Sequence, residues 1–70
     1  MSATKKIKML LVERDMTITD LAKKLNTVQS NISSKMKRNN FSEKELRDIA
    51  EALNCDYDII FTTRDTGKQI

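Results

Sequence analysis

The segment from Thr17 to Arg38 constrains the fold of this chain more than any other stretch. Ile18, Leu21, Ala22 and Leu25 fall at i, i+3, i+4 and i+7, which gathers them into one apolar stripe on a helix. Thr17 stands at the N-cap position and Asp20 lies three residues on. Together they form a short-armed version of the Thr-x-x-Glu capping box, with the acid near the positive end of the helix. Asn26 follows the last apolar residue and tolerates the left-handed conformation that stops a helix. The pattern therefore predicts a helix over Ile18–Leu25, a tight turn, and a second helix from Val28 to about Lys37 with Thr27 as its cap. Val28, Ile32 and Met36 repeat every four residues and are expected to turn inward.

The outer face of that second helix carries Gln29, Ser30, Asn31, Ser33, Ser34, Lys35 and Lys37. A solvated helix surface normally mixes Glu with Lys; this one offers amides, hydroxyls and cations and no acid. Gln and Asn pair bidentately with adenine, Ser reaches either kind of base edge, and Lys and Arg contact guanine or phosphate. The plainer alternative is an ordinary exposed helix with Ser33 and Ser34 as indifferent surface.

Charge along the chain favours the first reading. Residues 1–40 hold nine cations (Lys5, Lys6, Lys8, Arg14, Lys23, Lys24, Lys35, Lys37, Arg38) and three acids (Glu13, Asp15, Asp20), a net of +6. Residues 41–70 hold four cations and seven acids, a net of −3, so the overall +3 conceals a segregation. This is the footprint of a protein that meets a polyanion with one side.

Composition sets the frame. Seventy residues allow one domain, and a 39% apolar share suffices for a small helical core. So small a domain buries little surface, which leaves oligomerisation open. No Pro and one Gly make helix the expected structure. No apolar run approaches the roughly 20 residues that span a membrane. The start, Met1 to Lys6, leads into a helix rather than a signal sequence, so a cytoplasmic location is expected. Cys55 is the sole cysteine; it cannot form an internal disulfide, it suits a reducing compartment, and it reads as a small half-buried residue after a helix.

Around the central unit, residues 1–3 are expected to be loose, with Thr4 capping a helix from Lys5 to about Arg14. Ile7, Leu10 and Leu11 are its inward positions, joined by Met9 or Val12. Lys5, Lys6 and Lys8 oppose the dipole in its first turn, so local stability does not explain them. After the polar turn Asn39–Asn40, Ser42 and Glu45 make a full capping box, and Phe41 and Leu46 stand at the positions of a hydrophobic staple. Leu46, Ile49, Ala50 and Leu53 point inward. The mixed, mostly acidic face of Glu43, Lys44, Glu45, Arg47, Asp48 and Glu51 marks this helix as scaffold, and Asn54 ends it.

Tyr57–Thr63 is β-branched and aromatic and reads as a strand with Tyr57, Ile59, Phe61 and Thr63 on one face. Asp65-Thr66-Gly67 is a turn signal, after which Lys68–Ile70 folds back briefly or frays. A lone strand is marginal and its free edge a hazard. The economical partner is the same strand of a second copy, antiparallel across a two-fold axis. That makes Tyr57, Ile59, Ile60, Phe61, Thr62 and Thr63 the expected dimer interface; the alternative is a monomer's tail packed on the helices. Residues 1–55 form the helical domain in this division, and 56–70 a strand and tail.

Leu21-Ala22, Ile32-Ser33 and Ile49-Ala50-Glu51-Ala52-Leu53, with a helix before them, resemble the phage Cro/repressor-like helix-turn-helix regulators of the xenobiotic-response-element type, over about Ile7 to Asn54. The resemblance implies a mainly α fold, a compact bundle of four or five helices, with the second helix of the motif lying in the major groove of DNA. It implies base reading by Gln29, Ser30 and Ser34, with Asn31, Ser33, Lys35, Lys37 and Arg38 as further base or phosphate contacts. The chain departs from the family in having Ile18 where a phosphate-touching Gln is usual. It also has Asn26 for the turn glycine, and Arg38-Asn39-Asn40 in place of the glycine after the reading helix.

The expected function is a sequence-specific DNA-binding regulator, a repressor binding a near-palindromic operator as a homodimer. Lys5, Lys6, Lys24, Lys37 and Arg38 would be its phosphate contacts. The alternative is a protein-interaction module, antitoxin- or antirepressor-like, that adds its C-terminal strand to another sheet. Enzymatic chemistry is not expected. The chain has no His for acid–base work or a usual zinc site, and too few glycines for a phosphate-cradling loop. Asp56-x-Asp58 opens like a calcium loop, but Ile60 and Phe61 take the next ligand and turn positions. No cofactor, metal or small-molecule ligand is implied, and the aromatics are too few for an RNA-stacking platform.

Overall fold

Apolar residues spaced for helices, and little that breaks a helix, produce four helices in sequence: α1 (Ala3–Glu13), α2 (Ile18–Lys24), α3 (Gln29–Arg38) and α4 (Glu43–Ala52). These come from a computed structural model that describes residues 2–70. The expectation of a loose start falls in part on Met1, outside the described residues. For the rest it is corrected: Ser2 is the N-cap of α1, accepting from the amide of Lys5 at 3.2 Å, and Ala3 is already helical. Thr4 therefore does not cap α1 and is free for another use.

The core takes one stripe from each helix. Ile7 and Leu11 come from α1, Leu21 and Ala22 from α2, Ile32 and Met36 from α3, and Ile49, Ala50 and Leu53 from the end of α4. Leu21, fully excluded from solvent, and Leu53 are its largest buried side chains. Leu10, Met16, Ile18, Leu25, Phe41 and Leu46 pack partly buried around it, as the stripes and the staple require. Met9 and Val12 stay outside, at 59% and 81% exposed. Val28 is a correction. It is not an inward residue of α3 but its N-cap, in extended backbone, without a side-chain hydrogen bond, and it is 64% exposed. Thr27 does not cap α3 either; its hydroxyl accepts from the side-chain Nδ2 of Asn31 at 3.0 Å.

Both expected capping boxes form. Thr17 and Asp20 exchange hydrogen bonds across the start of α2, and Ser42 and Glu45 do so across the start of α4. The helix ends share one device. Asp15, Asn26, Asn39 and Asn54 each take positive φ, from 50° to 57°. At each, the next residue's amide returns to a carbonyl five residues back: Met16 to Leu11, Thr27 to Ala22, Asn40 to Lys35, Cys55 to Ala50. This is the Schellman stop, usually made with Gly and here with Asx side chains, which enter the left-handed region more readily than other L residues. The first three stops turn the chain from one helix into the next, and the fourth, at Asn54, ends α4.

The strand expected over Tyr57–Thr63 is not there. Among the described residues there is no sheet, only an isolated antiparallel bridge between Thr62 and Gln69. Phe61 and Ile70 exchange amide bonds at 3.1 and 2.8 Å, the Thr63 amide donates to Lys68 O at 2.9 Å, and Gly67 turns the chain at φ 71°. So the tail does fold back, making a minimal hairpin with the end of its own run, while 57–60 carry no ladder. Strand propensity is mostly packing against neighbours, and the chain offers this run no second run of its length. The pair juts from the bundle. The radius of gyration is 13.7 Å against roughly 11 Å for a compact chain of this length, and Ile59, Ile60, Phe61 and Ile70 are all exposed.

Candidate nucleic-acid interface

α3 is held by Ile32 and Met36, each 4% exposed and one turn apart. Residues advance about 100° around a helix. With Ile32 and Met36 inward, Ser30, Ser34, Lys37 and Arg38 crown the opposite side, and all four are exposed. Gln29 and Ser33 lie on one shoulder, exposed and half-buried respectively; Asn31, exposed, and Lys35, half-buried, lie on the other. No acid stands anywhere on α3. The ridge is convex, free along its crown, and supported from below.

The shoulders are partly engaged. The Gln29 Nε2 donates to Ser33 Oγ at 2.6 Å. That uses one amide hydrogen and leaves Oε1 and the second hydrogen, the pair an adenine edge needs. Asn31 spends one hydrogen on Thr27 and keeps its Oδ1. Lys35 forms an ion pair with Glu45 of α4, so its charge is directed at the scaffold rather than along the crown. Of the sequence-selected residues, the structure brings Ser30, Ser34, Lys37 and Arg38 together on the outer surface with Gln29 and Asn31 at the edges. Ser33 and Lys35 turn toward the bundle.

The basic surface is similarly sorted. Lys5, Lys6, Lys8, Lys23, Lys24, Lys37 and Arg38 are exposed. Arg14 is spent internally: its Nε donates to Leu53 O at 2.9 Å and its Nη2 to Asn54 O at 3.1 Å, closing the C-terminus of α4 from thirty-nine residues away. Sequence inspection gives no signal for that contact. A second unforeseen contact ties α1 to α3. The Thr4 hydroxyl donates to Met36 O at 2.8 Å, with Asn39 Oδ1 at 3.0 Å, and the Thr4 amide donates to that same Oδ1 at 3.1 Å. A free N–H at the start of α1 is thus satisfied by the Asn39 side chain, and Met36 O, which already accepts from the Asn39 amide, gains the Thr4 hydroxyl as a second donor. This clasp brings Lys5 to the same end of the molecule as Lys37 and Arg38.

Electrostatics elsewhere serve the frame. The Asp20 carboxyl is held below the usual Asp range, chiefly by the Thr17 amide that donates to it at 2.9 Å, then by the Thr17 side chain and the nearby Lys23 charge. The outer face of α4 is knitted by Lys44–Asp48 and Glu43–Arg47 pairs at i, i+4. No helix among the described residues is long and apolar enough to cross a membrane, and their Cys, Asp and Glu side chains do not gather as a metal site.

A family model, that of the Cro/C1-type HTH DNA-binding domain, matches residues 6–63. No curated protein and no solved structure matches the chain.

Proposed function

The chain belongs to the family of Cro/C1-type helix-turn-helix DNA-binding domains, and from that premise we propose that it is a sequence-specific transcriptional regulator that reads the major groove with α3. The observation that carries this reading is the acid-free crown of Ser30, Ser34, Lys37 and Arg38, set on a helix whose inner side is fixed by Ile32 and Met36. Gln29, Ser30 and Ser34 read base edges; Asn31 and Ser33 supplement them from the shoulders. Lys37, Arg38, Lys5, Lys6 and Lys24 contact phosphates and fix register. Lys35, paired with Glu45, reaches DNA only by leaving that pair, and so contributes least of the set.

The regulator acts as a homodimer and as a repressor. The projecting hairpin supports the first part. An isolated two-stranded pair is marginal in water, and this one exposes Ile59, Ile60, Phe61 and Ile70 together. A second copy related by a two-fold axis covers them, with Tyr57, Thr62 and Thr63 at the rim. The two α3 helices then meet half-sites about 34 Å apart on a near-palindromic operator, and a dimer seated there excludes other proteins from the DNA it covers.

Selection of binding sites from random duplexes tests the whole reading. The expected result is a motif with two inverted half-sites about one helical turn apart, bound by a species that elutes as a dimer. Equal affinity for selected and scrambled DNA refutes base reading by α3. A single half-site bound by a monomer refutes the dimer. A monomer that joins another protein's sheet and shifts no DNA supports the interaction-module alternative instead.

A further inference from the structure

Val28 is unexplained by the fold. It occupies the N-cap of α3, where Ser, Thr, Asp or Asn would satisfy a free amide of the first turn, and it supplies no such bond. Burial does not account for it either, because the side chain is 64% exposed. A β-branched apolar residue therefore stands in water at the leading end of the helix, next to Gln29 and Ser30. That is the end whose residues meet base edges when such a helix enters the major groove. The base-edge features there are hydrogen-bond donors and acceptors, with one projecting apolar group, the C5 methyl of thymine.

We infer that Val28 is a specificity-determining residue that packs on a thymine methyl in each half-site. This rests on the assignment of α3 as the reading helix and adds a contact that the polar set lacks. Adjacent Cα atoms are about 3.8 Å apart and successive bases of one strand about 3.4 Å apart. The thymine therefore lies within one or two base pairs of the position read by Gln29. Its recognition needs no hydrogen bond, so it survives the loss of any polar group on the ridge.

The test separates this role from a structural one. In the selected operator each thymine is replaced in turn by uracil, which removes the methyl group and nothing else. Wild-type protein is expected to lose about fourfold in affinity for a single replacement at either of two symmetric positions, one in each half-site, the value of one buried methyl group. Val28→Ser removes both methyls of the side chain and supplies the missing N-cap. It should melt at a higher temperature than wild type, bind the operator more weakly, and be indifferent to uracil at that position. A variant that is more stable yet less discriminating cannot be explained by damage to the fold. Uracil sensitivity that persists in Val28→Ser, or a wild-type protein insensitive to uracil at every position while still preferring its operator, overturns the inference and leaves the reading of α3 standing. Failure of the wild type to prefer any sequence overturns both.

Discussion

Arg14 is the cation whose role the structure changes most, and the change can be weighed. Its guanidinium closes the C-terminus of α4 through Leu53 O at 2.9 Å, a part-buried bond, and Asn54 O at 3.1 Å, an exposed one. A hydrogen bond from a charged donor is worth about 1.5–3 kcal/mol when the acceptor would otherwise be left dry. The exposed bond adds little, since water replaces it, and the helix-dipole benefit of a cation there is about 0.3–1 kcal/mol and overlaps with both. Arg14→Met keeps the aliphatic stem and removes the donors, so a loss of about 2 kcal/mol is expected. For a domain of this size that lowers Tm by roughly 8–16 °C, and Arg14→Lys, with the charge but not the fork, should fall between. Circular-dichroism melts with a matched urea series measure it. The salt dependence of DNA binding supplies the second readout: it should be unchanged at temperatures where both proteins are folded. A Tm shift of less than about 3 °C, or a salt slope reduced by about one, would show that Arg14 serves phosphate and not the helix end.

Four further outcomes follow from the same geometry. Gln29→Ala should relax sequence preference at one base pair per half-site, at a cost of about 1–3 kcal/mol against the selected operator and little against scrambled DNA, read by competition gel shift. Lys37→Ala should weaken binding on all sequences alike and reduce the log-affinity against log-salt slope by about one per protomer; an unchanged slope removes Lys37 from the phosphate contacts. Asn26→Ala should destabilise by about 1 kcal/mol through the left-handed backbone it must keep, whereas Asn26→Gly should be neutral or better in the same melts. Asp20 has a folded-state pKa below its unfolded value, so the unfolded chain takes up the proton first. Its contribution is whole above the ordinary Asp range and lost as pH falls through the lowered value, so the stability gap between wild type and Asp20→Asn should close in acid.

Local information made much of the fold readable. The capping boxes at Thr17–Asp20 and Ser42–Glu45 each satisfy two amides within four residues, so sequence spacing alone reports them. The inward stripes of α2 and α4 are periodic for the same reason. Where the signal is one residue deep, a distant contact decides the outcome. Thr4 and Ser2 are both competent caps two positions apart, and what decides between them is that Thr4 has a better partner in Met36 O, thirty-two residues away. Val28 fits the four-residue repeat of Ile32 and Met36, but the turn at Asn26 is followed by Thr27 and then by Val28 in extended backbone before α3 begins, and in that conformation Val28 is exposed.

The site was legible in its residue types and less so in their pairing. An acid-free face is a property of composition at helical spacing, and it survives as the crown of α3. Which cations remain available is a tertiary property: Arg14 and Lys35 look equivalent to Lys37 in the sequence, yet α4 claims both, one with its last carbonyls and one with Glu45. The hairpin arm marks the same boundary from the other side. Tyr57–Thr63 has strand composition, and composition cannot say who the neighbour is. The chain answers with its own last three residues, a partner long enough to pair Phe61–Thr63 and too short to cover Ile59, Ile60 and Phe61. An arm that satisfies part of its backbone internally but leaves its apolar side chains in water is stabilised by whatever buries them, and a second copy brings an identical set at no cost in sequence.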